Sequence, residues 1–285
     1  MNTHRIILGD CITGMKTLPD GCVQTCITSP PYFGLRDYGG GDSEIGQEDT
    51  VDGYVQKMVE VFREVRRILR DDGTLWLNLG DSYMSAKNCA PPPQTQGGQR
   101  GMPSDFVPAN RKDQKGLKTK DLIGIPWRVA FALQADGWYL RQDIIWSKPN
   151  PMPESVEDRC TKSHEYIFLL SKKPHYFYDH EAVKEITVGG TEKKNKRSVW
   201  TVNAKGYKGA HFAVYPETLI EPCVLAGCPQ DGTVFDPFTG SGTTAVVALK
   251  NGRNYIGTEL NPEYVQIAEA RIKESVPQTL EEIFE

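Results

Sequence analysis

Apolar and polar positions along the chain follow two periods. Short apolar runs at Arg5–Leu8, Val23–Ile27, Thr74–Leu79, Leu140–Trp146, Glu165–Leu170, Thr233–Phe235 and Asn254–Thr258 predict strands. Between the second and third runs, Tyr54, Met58, Val61, Phe62, Val65 and Leu69 recur at helical spacing, and Asp71-Asp72-Gly73 is expected to end that helix. Further helices are predicted over Pro126–Asp136, Pro216–Ala226, Thr243–Asn251 and Pro262–Glu274. Strands separated by helices of this length imply an α/β fold, a mainly parallel sheet with helices on both faces. The longest uninterrupted apolar stretches, such as Tyr166–Leu170 and Ala245–Leu249, are five residues. A membrane span needs about 20, so none is expected. Met1–Cys11 lacks a signal peptide's apolar core, and a cytoplasmic location is expected.

Composition changes this picture little until it is divided along the chain. With 285 residues, 39% hydrophobic and 25% charged, wholesale disorder is excluded, and a single domain over 1–285 is expected. Seven scattered cysteines argue against a disulfide framework and for a reducing compartment. The net charge of −4 taken alone speaks against a nucleic-acid partner. Residues 85–120, however, hold seven basic side chains against two acidic ones, as do residues 182–210, which leaves −14 on the rest. Both stretches lack apolar periodicity and carry breakers (Pro91-Pro92-Pro93, Gly97-Gly98, Gly189-Gly190), so both read as loops. Solvated loops without a partner would have this composition too. Two long basic loops in one chain favour a function, because structureless loops beyond about 12–15 residues are uncommon.

Two segments carry candidate chemistry. Thr233–Thr244, TVFDPFTGSGTT, runs from a strand through a glycine turn into a helix. Gly240 and Gly242 allow positive φ and close approach of a ligand to backbone, and the helix start offers free N–H groups. Glu259 ends the next predicted strand, where a carboxylate can accept both ribose hydroxyls of an adenosine. A tight strand-to-helix turn would use the same glycines; the acid at the next strand end favours nucleoside binding. The second segment is Ile27–Tyr32, ITSPPY. Two prolines stop the strand and fix the backbone, presenting Ser29, carbonyl groups and the Tyr32 ring at a strand's carboxyl end. A Pro-Pro turn closing a strand is the plain alternative for that tetrapeptide alone.

Together these segments resemble the amino-methyltransferases of DNA, with Ser29-Pro30-Pro31-Tyr32 as the family's [D/N/S]-P-P-[Y/F/W] tetrapeptide, some 200 residues before the glycine turn. That order is the permuted, or β, arrangement, with target recognition between the two halves. The resemblance extends over Arg5–Tyr32, Gly73–Ser82, Asp143–Tyr166, Ser198–Trp200, His211–Leu219 and Tyr255–Pro262. It implies a methyltransferase fold with circularly permuted motifs and S-adenosylmethionine as cofactor. It also implies a cofactor site formed by Asp10, Asp236, Phe238, Thr239, Gly240, Ser241, Gly242, Thr243, Glu259 and Asn261, and a catalytic loop of Ser29, Pro30, Pro31 and Tyr32. Residues 181–210 become the candidate target-recognition segment and 85–120 a second DNA-facing insertion. Lys193, Lys194, Lys196 and Arg197 are the densest set of phosphate-binding candidates. Double-stranded DNA is the implied substrate, a cognate restriction endonuclease the implied companion, and the chain a monomer or homodimer.

The chemistry gives these residue types a reason. An exocyclic base amine is a poor nucleophile because its lone pair is delocalised into the ring. If Ser29 and the Pro30 carbonyl each accept one amine hydrogen, the nitrogen moves toward sp³; orientation and hydrogen bonding then supply the catalysis. Tyr32 would stack on the flipped base. No metal is required, and no His or Cys pair has zinc spacing. Cytosine-C5 chemistry would need a cysteine nucleophile; Pro222-Cys223 falls within a predicted helix and reads as packing. In the family, T-S-P-P-[Y/F] is associated with cytosine N4 and an aspartate in place of the serine with adenine N6. Thr28-Ser29 therefore favours cytosine N4, with adenine N6 as the alternative acceptor. A protein-amide or RNA acceptor, or a nucleotide-dependent oxidoreductase using the glycine turn alone, are the remaining readings.

Overall fold

A computed structural model describes residues 2–34, 44–84, 114–186, 190, 192–204 and 215–275. Its main sheet has eight strands in the order β1-β10-β9-β2-β3-β5-β4-β8. Seven of them run in one direction, five as a contiguous parallel set: β1 (His4–Leu8), β10 (Asn254–Glu259), β9 (Thr233–Asp236), β2 (Val23–Thr28) and β3 (Leu69–Leu79). Beyond β3, β5 (His164–Ser171) is antiparallel to both its neighbours, and β8 (Val199–Thr201) runs parallel to β4 (Tyr139–Ser147) at the far edge. The sheet is thus mixed but mostly parallel.

Helices cover both faces. α1 (Cys11–Lys16), α2 (Val51–Ile68) and α3 (Ile125–Ala135) share one core, with Met15, Tyr54, Phe62 and Leu133 fully buried. α4 (Glu217–Gly227), α5 (Thr243–Lys250) and α6 (Pro262–Ser275) share the other, with Leu219, Val224, Val246 and Ile272. Every residue of β2 is buried, as a central strand covered on both sides requires. From β2 the chain crosses through α2 to β3 on one side; from β9 it crosses through α5 to β10 on the other. The crossovers diverge between β2 and β9, and ligands of open α/β sheets bind outside the strand ends at such a point.

Several expectations need correction. α2 ends at Ile68 rather than at Asp71-Asp72-Gly73, because Leu69 is already extended with ψ 140° and opens β3. The Asp-Asp-Gly triplet lies in a bulge, where the pairing jumps from Val23↔Leu69 to Thr25↔Thr74. A Cβ on Gly73 would lie 2.9 Å from the carbonyl oxygens of both Arg70 and Gln24, so glycine is needed there for close approach of two strands. Of residues 182–210, 187–189, 191 and 205–210 lie outside the described residues; among the rest, β6 (Glu185–Ile186) pairs antiparallel with β7 (Lys193–Lys194), and β8 follows, where the sequence suggests only loop. Strands of two or three residues are too short to display a period. The six-residue α1 escapes the pattern for the same reason; its start is fixed by Asp10, whose side chain accepts from Thr13 N at 2.8 Å. Of the 85–120 insertion, 85–113 lies outside the described residues. Gln114 is buried and joins the start of α2, accepting from Val51 N and donating to the Asp49 carbonyl.

Candidate active site

The glycine turn is built from backbone contacts between β9, β10 and α6. Gly240 and Gly242 have φ of +52° and +79°. Thr239 N donates to the Thr258 carbonyl at 3.0 Å, which ties the turn to β10. A Cβ on Gly242 would meet Ala268 Cβ at 2.8 Å, so its glycine serves the packing of α5 against α6. Arg271 of α6 donates to the Ser241 carbonyl and hydroxyl and to the Thr243 hydroxyl, which turns these two side chains inward. Glu259 ends β10, nearly buried, with one carboxylate oxygen accepting from Gly240 N (2.8 Å) and the other from Asn261 N (2.9 Å). Burial pushes its pKa up against the opposing pull of these backbone donors. The Glu259 carbonyl accepts from Gly9 N, which brings the start of α1 and Asp10 beside it. Phe238, Thr239 and Asn261 are thereby gathered with Glu259 and Asp10 along the ends of β1, β10 and β9.

Asp236 has a different use. Its carboxylate is buried and accepts from Thr28 Oγ1 (2.6 Å), Phe238 N (2.9 Å), Thr244 Oγ1 (2.7 Å) and Tyr215 Oη (3.3 Å). Four donors fill the lone-pair positions of a carboxylate. Burial raises its pKa and these donors oppose the rise. Because Thr28 immediately precedes Ser29, Asp236 couples the glycine turn to the Ser-Pro-Pro-Tyr loop across the gap between β9 and β2. Neither Thr28 nor Tyr215 stands out in the sequence as a partner of Asp236, since nothing local marks a contact between distant segments.

The loop after β2 is held at several points. The Pro31 carbonyl accepts from Tyr54 Oη at 2.9 Å, and buried Phe33 packs on the Tyr54 ring with centroids 5.6 Å apart. Gly46, at φ +101°, lies against Pro31 and the Tyr32 carbonyl, where a Cβ would come within 3.2 Å of that oxygen. Tyr32 packs against Gly80, whose Cβ would be 2.5 Å from the ring. Its hydroxyl donates to Glu165 Oε2 at 2.8 Å and lies 3.3 Å from Asn78 Oδ1, while Ser29 Oγ donates to it at 3.4 Å. Burial and the Glu165 charge hold the Tyr32 pKa well above the usual phenol range.

A polar cluster adjoins this loop. Asn78 of β3, 3% exposed, donates to Glu165 Oε2 and to the Tyr166 carbonyl. Lys148 pairs with the other Glu165 oxygen and sits over the Trp146 ring at 4.1 Å. Lys162 donates to the Asp81 carbonyl at 2.6 Å, and burial lowers its pKa. The Asp81 side chain accepts from Gly124 N and Ile125 N, capping α3. The sequence alone assigns these residues no role. A lone amide in the apolar run LWLNL and a lone acid before YIFLL are the available signals. Only the cross-strand pairing of β3, β5 and β4 brings them together.

Among the DNA-binding candidates, Lys193 and Lys194 are exposed on β7. Arg197 pairs with Glu185 at 2.6 Å, and Lys196 stands 3.9 Å from the same carboxylate and 4.9 Å from the Trp200 ring centroid. β8 pairs Trp200 with Trp146 and Thr201 with Ser147, so this segment leads to the strand end that carries Lys148. Cys223 is buried in α4 with its thiol pKa pushed up by burial, the opposite of an activated nucleophile. Among the described residues no three metal-ligating side chains converge, and no helix is long and apolar enough to cross a membrane.

A family model described as DNA methylase matches residues 23–270. The type II methyltransferase M.Cfr9I of Citrobacter freundii is 50% identical over 274 residues, covering 96% of this chain and 89% of the relative. The type II methyltransferase M.SmaI of Serratia marcescens is 51% identical over 273 residues, covering 95% and 91%. Among solved structures, the cytosine-N4-specific PvuII DNA methyltransferase superposes with a TM-score of 0.70 at 20% identity, over 100% of this chain and 90% of that one. A candidate DNA modification methylase of Thermus thermophilus, complexed with S-adenosyl-L-methionine, gives 0.66 at 22% identity, over 97% and 96%.

Proposed function

The chain belongs to the DNA methylase family that unites N6 and N4 methyltransferases, and from that premise we propose that it methylates the exocyclic amine of a base in duplex DNA, with cytosine N4 as the acceptor and S-adenosylmethionine as the methyl donor. One observation carries the reading: the Ser29–Tyr32 loop and the Gly240–Glu259 turn lie at neighbouring strand ends, joined by the Thr28–Asp236 hydrogen bond of 2.6 Å.

The residues present fit the donor. Glu259 is a nearly buried carboxylate with one backbone donor on each oxygen. A carboxylate has about four lone-pair positions, so two are left for a ribose diol. Gly240, at φ +52°, keeps the adjoining backbone free of side-chain bulk. Asp10, Phe238, Thr239 and Asn261 line the same strand ends and would complete the pocket, whereas Ser241, Gly242, Thr243 and Asp236 hold its walls. When bound, S-adenosylmethionine supplies a methyl group on a positively charged sulfur.

The catalytic loop does the rest by orientation. Ser29 and the Pro30 carbonyl accept the two amine hydrogens, which draws the nitrogen lone pair out of conjugation and aims it. Pro30 and Pro31 fix that acceptor pair in advance, so little ordering is left for the moment of reaction. Tyr32 stacks on the extruded base. Thr28-Ser29 supports cytosine over adenine, since in this family a serine there goes with N4. Lys193 and Lys194 bind backbone phosphates, joined by Lys196 and Arg197 when a phosphate replaces Glu185. The type II relatives support a companion restriction endonuclease that cuts the same site.

The test is incubation with labelled S-adenosylmethionine and duplex DNA, followed by digestion to nucleosides and mass identification. Labelled N4-methylcytosine is expected. N6-methyladenine would overturn the base assignment alone, and label in protein or RNA but not in DNA would overturn the acceptor class.

A further inference from the structure

We propose that Glu165, braced by Lys148, is a positioning residue for the acceptor base, fixing the Tyr32 ring through its phenolic hydroxyl. The inference deepens the reading of Tyr32 as the stacking residue and rests on it. A ring that only had to stack would need no hydroxyl, and a buried hydroxyl without a partner is unfavourable. Here the hydroxyl is placed 2.8 Å from Glu165 Oε2, in a pocket whose wall is the Gly80 backbone. Any side chain at residue 80 would occupy the space of the ring.

Glu165 is itself held from two sides. Its Oε2 accepts from Asn78 Nδ2, whose amide is anchored to the Tyr166 carbonyl. Its Oε1 pairs with Lys148, whose backbone N–H donates to the Ser163 carbonyl at 2.8 Å and whose ammonium rests on the Trp146 ring. Trp146 in turn donates to the Val202 carbonyl at 2.8 Å. The chain of contacts therefore runs from β8 and the segment after it, through Trp146, Lys148 and Glu165, to Tyr32. A tyrosine side chain has two rotatable bonds; packing on Gly80 and the Glu165 bond restrain both. The ring is set before the base arrives, which is the geometric condition for a stacking platform to aid orientation.

The experiment compares wild type, Glu165→Ala, Glu165→Gln, Tyr32→Phe and the Tyr32→Phe/Glu165→Ala pair. Each is assayed for kcat, for the S-adenosylmethionine KM, and for fluorescence of 2-aminopurine placed at the target position of the duplex. Glu165→Ala is expected to lower kcat at least tenfold with the cofactor KM within twofold, and to raise the 2-aminopurine signal as stacking on Tyr32 loosens. Glu165→Gln, which keeps an acceptor for the hydroxyl, should recover most of both. The double variant should be no worse than Glu165→Ala, since both act through one bond. Additive losses, an unchanged 2-aminopurine signal, or a cofactor KM rising in step with the fall in kcat would overturn the assignment. Should Glu165→Ala not fold, Tyr32→Phe, which removes the same bond from its other end, is expected to lower kcat and raise the 2-aminopurine signal by itself, and wild-type values for both would overturn the assignment. Wild-type methylation of the duplex is measured alongside; its absence overturns the acceptor reading, and not the Tyr32–Glu165 coupling, which thermal melts of the same variants read independently.

Discussion

At the scale of single residues, the proposed site would divide labour between its two ends, and the division is measurable. Ser29→Ala should lower kcat by about 100-fold or more, the scale of losing one preorganised hydrogen bond in a closed site, and leave the cofactor KM within twofold. Glu259→Ala should do the reverse, raising the cofactor KM far more than it lowers kcat. Burial raises the Glu259 pKa above the ordinary glutamate value of 4.5. If Glu259 holds the cofactor's ribose as proposed, affinity needs the carboxylate ionised and should fall with decreasing pH at a higher pH than an unperturbed glutamate would give; a KM–pH profile checks this. The sign for stability is opposite: the buried charge costs the fold at neutral pH, and that cost fades as pH falls through the raised pKa. Cys223→Ala should leave methylation unchanged and lower the melting temperature, because the side chain fills α4's buried face. Loss of activity without loss of stability would revive a cysteine nucleophile.

At the scale of elements, periodicity is legible in the sequence and its interruptions are not. α2 can be read from Tyr54, Met58, Phe62 and Val65 because all point into one core. The end of that helix cannot, since Asp-Asp-Gly serves a helix stop and a strand bulge equally well and only the partner strand decides. Gly73→Ala tests that interpretation. Its Cβ would press on two carbonyl oxygens, so we expect a loss of about 1–3 kcal/mol in urea denaturation, typical of overpacking. A residue in an open helix-terminating turn would lose far less. The Ser29–Tyr32 and Thr233–Thr244 motifs are legible for a related reason: each is a contiguous segment at one strand end. Glu165, Asn78, Lys148 and Tyr215 are not, because each acquires its role from a neighbouring strand or from a distant turn rather than from its own segment.

At the scale of the whole molecule, charge is segregated, and the mean of −4 hides it. Exposed Lys193 and Lys194 on β7 contrast with the acidic framework. If both contact phosphates, the Lys193→Ala/Lys194→Ala pair should make the plot of log affinity against log salt shallower by about 2. Weakened binding with an unchanged slope would place these lysines away from the backbone of DNA.

The strand order has a consequence in time rather than in space. Within this sheet β1 is synthesised before the other strands, and its partner is β10, which begins at Asn254. Thr28 likewise waits for Asp236, 208 residues later. A nascent chain therefore carries Thr28 for 208 residues before the carboxylate that ties its loop to the glycine turn is made. Contacts of such long sequence separation close late and slowly. Competence at this site therefore waits for β9 and β10, and a chain cut short before them would be inert instead of partly active.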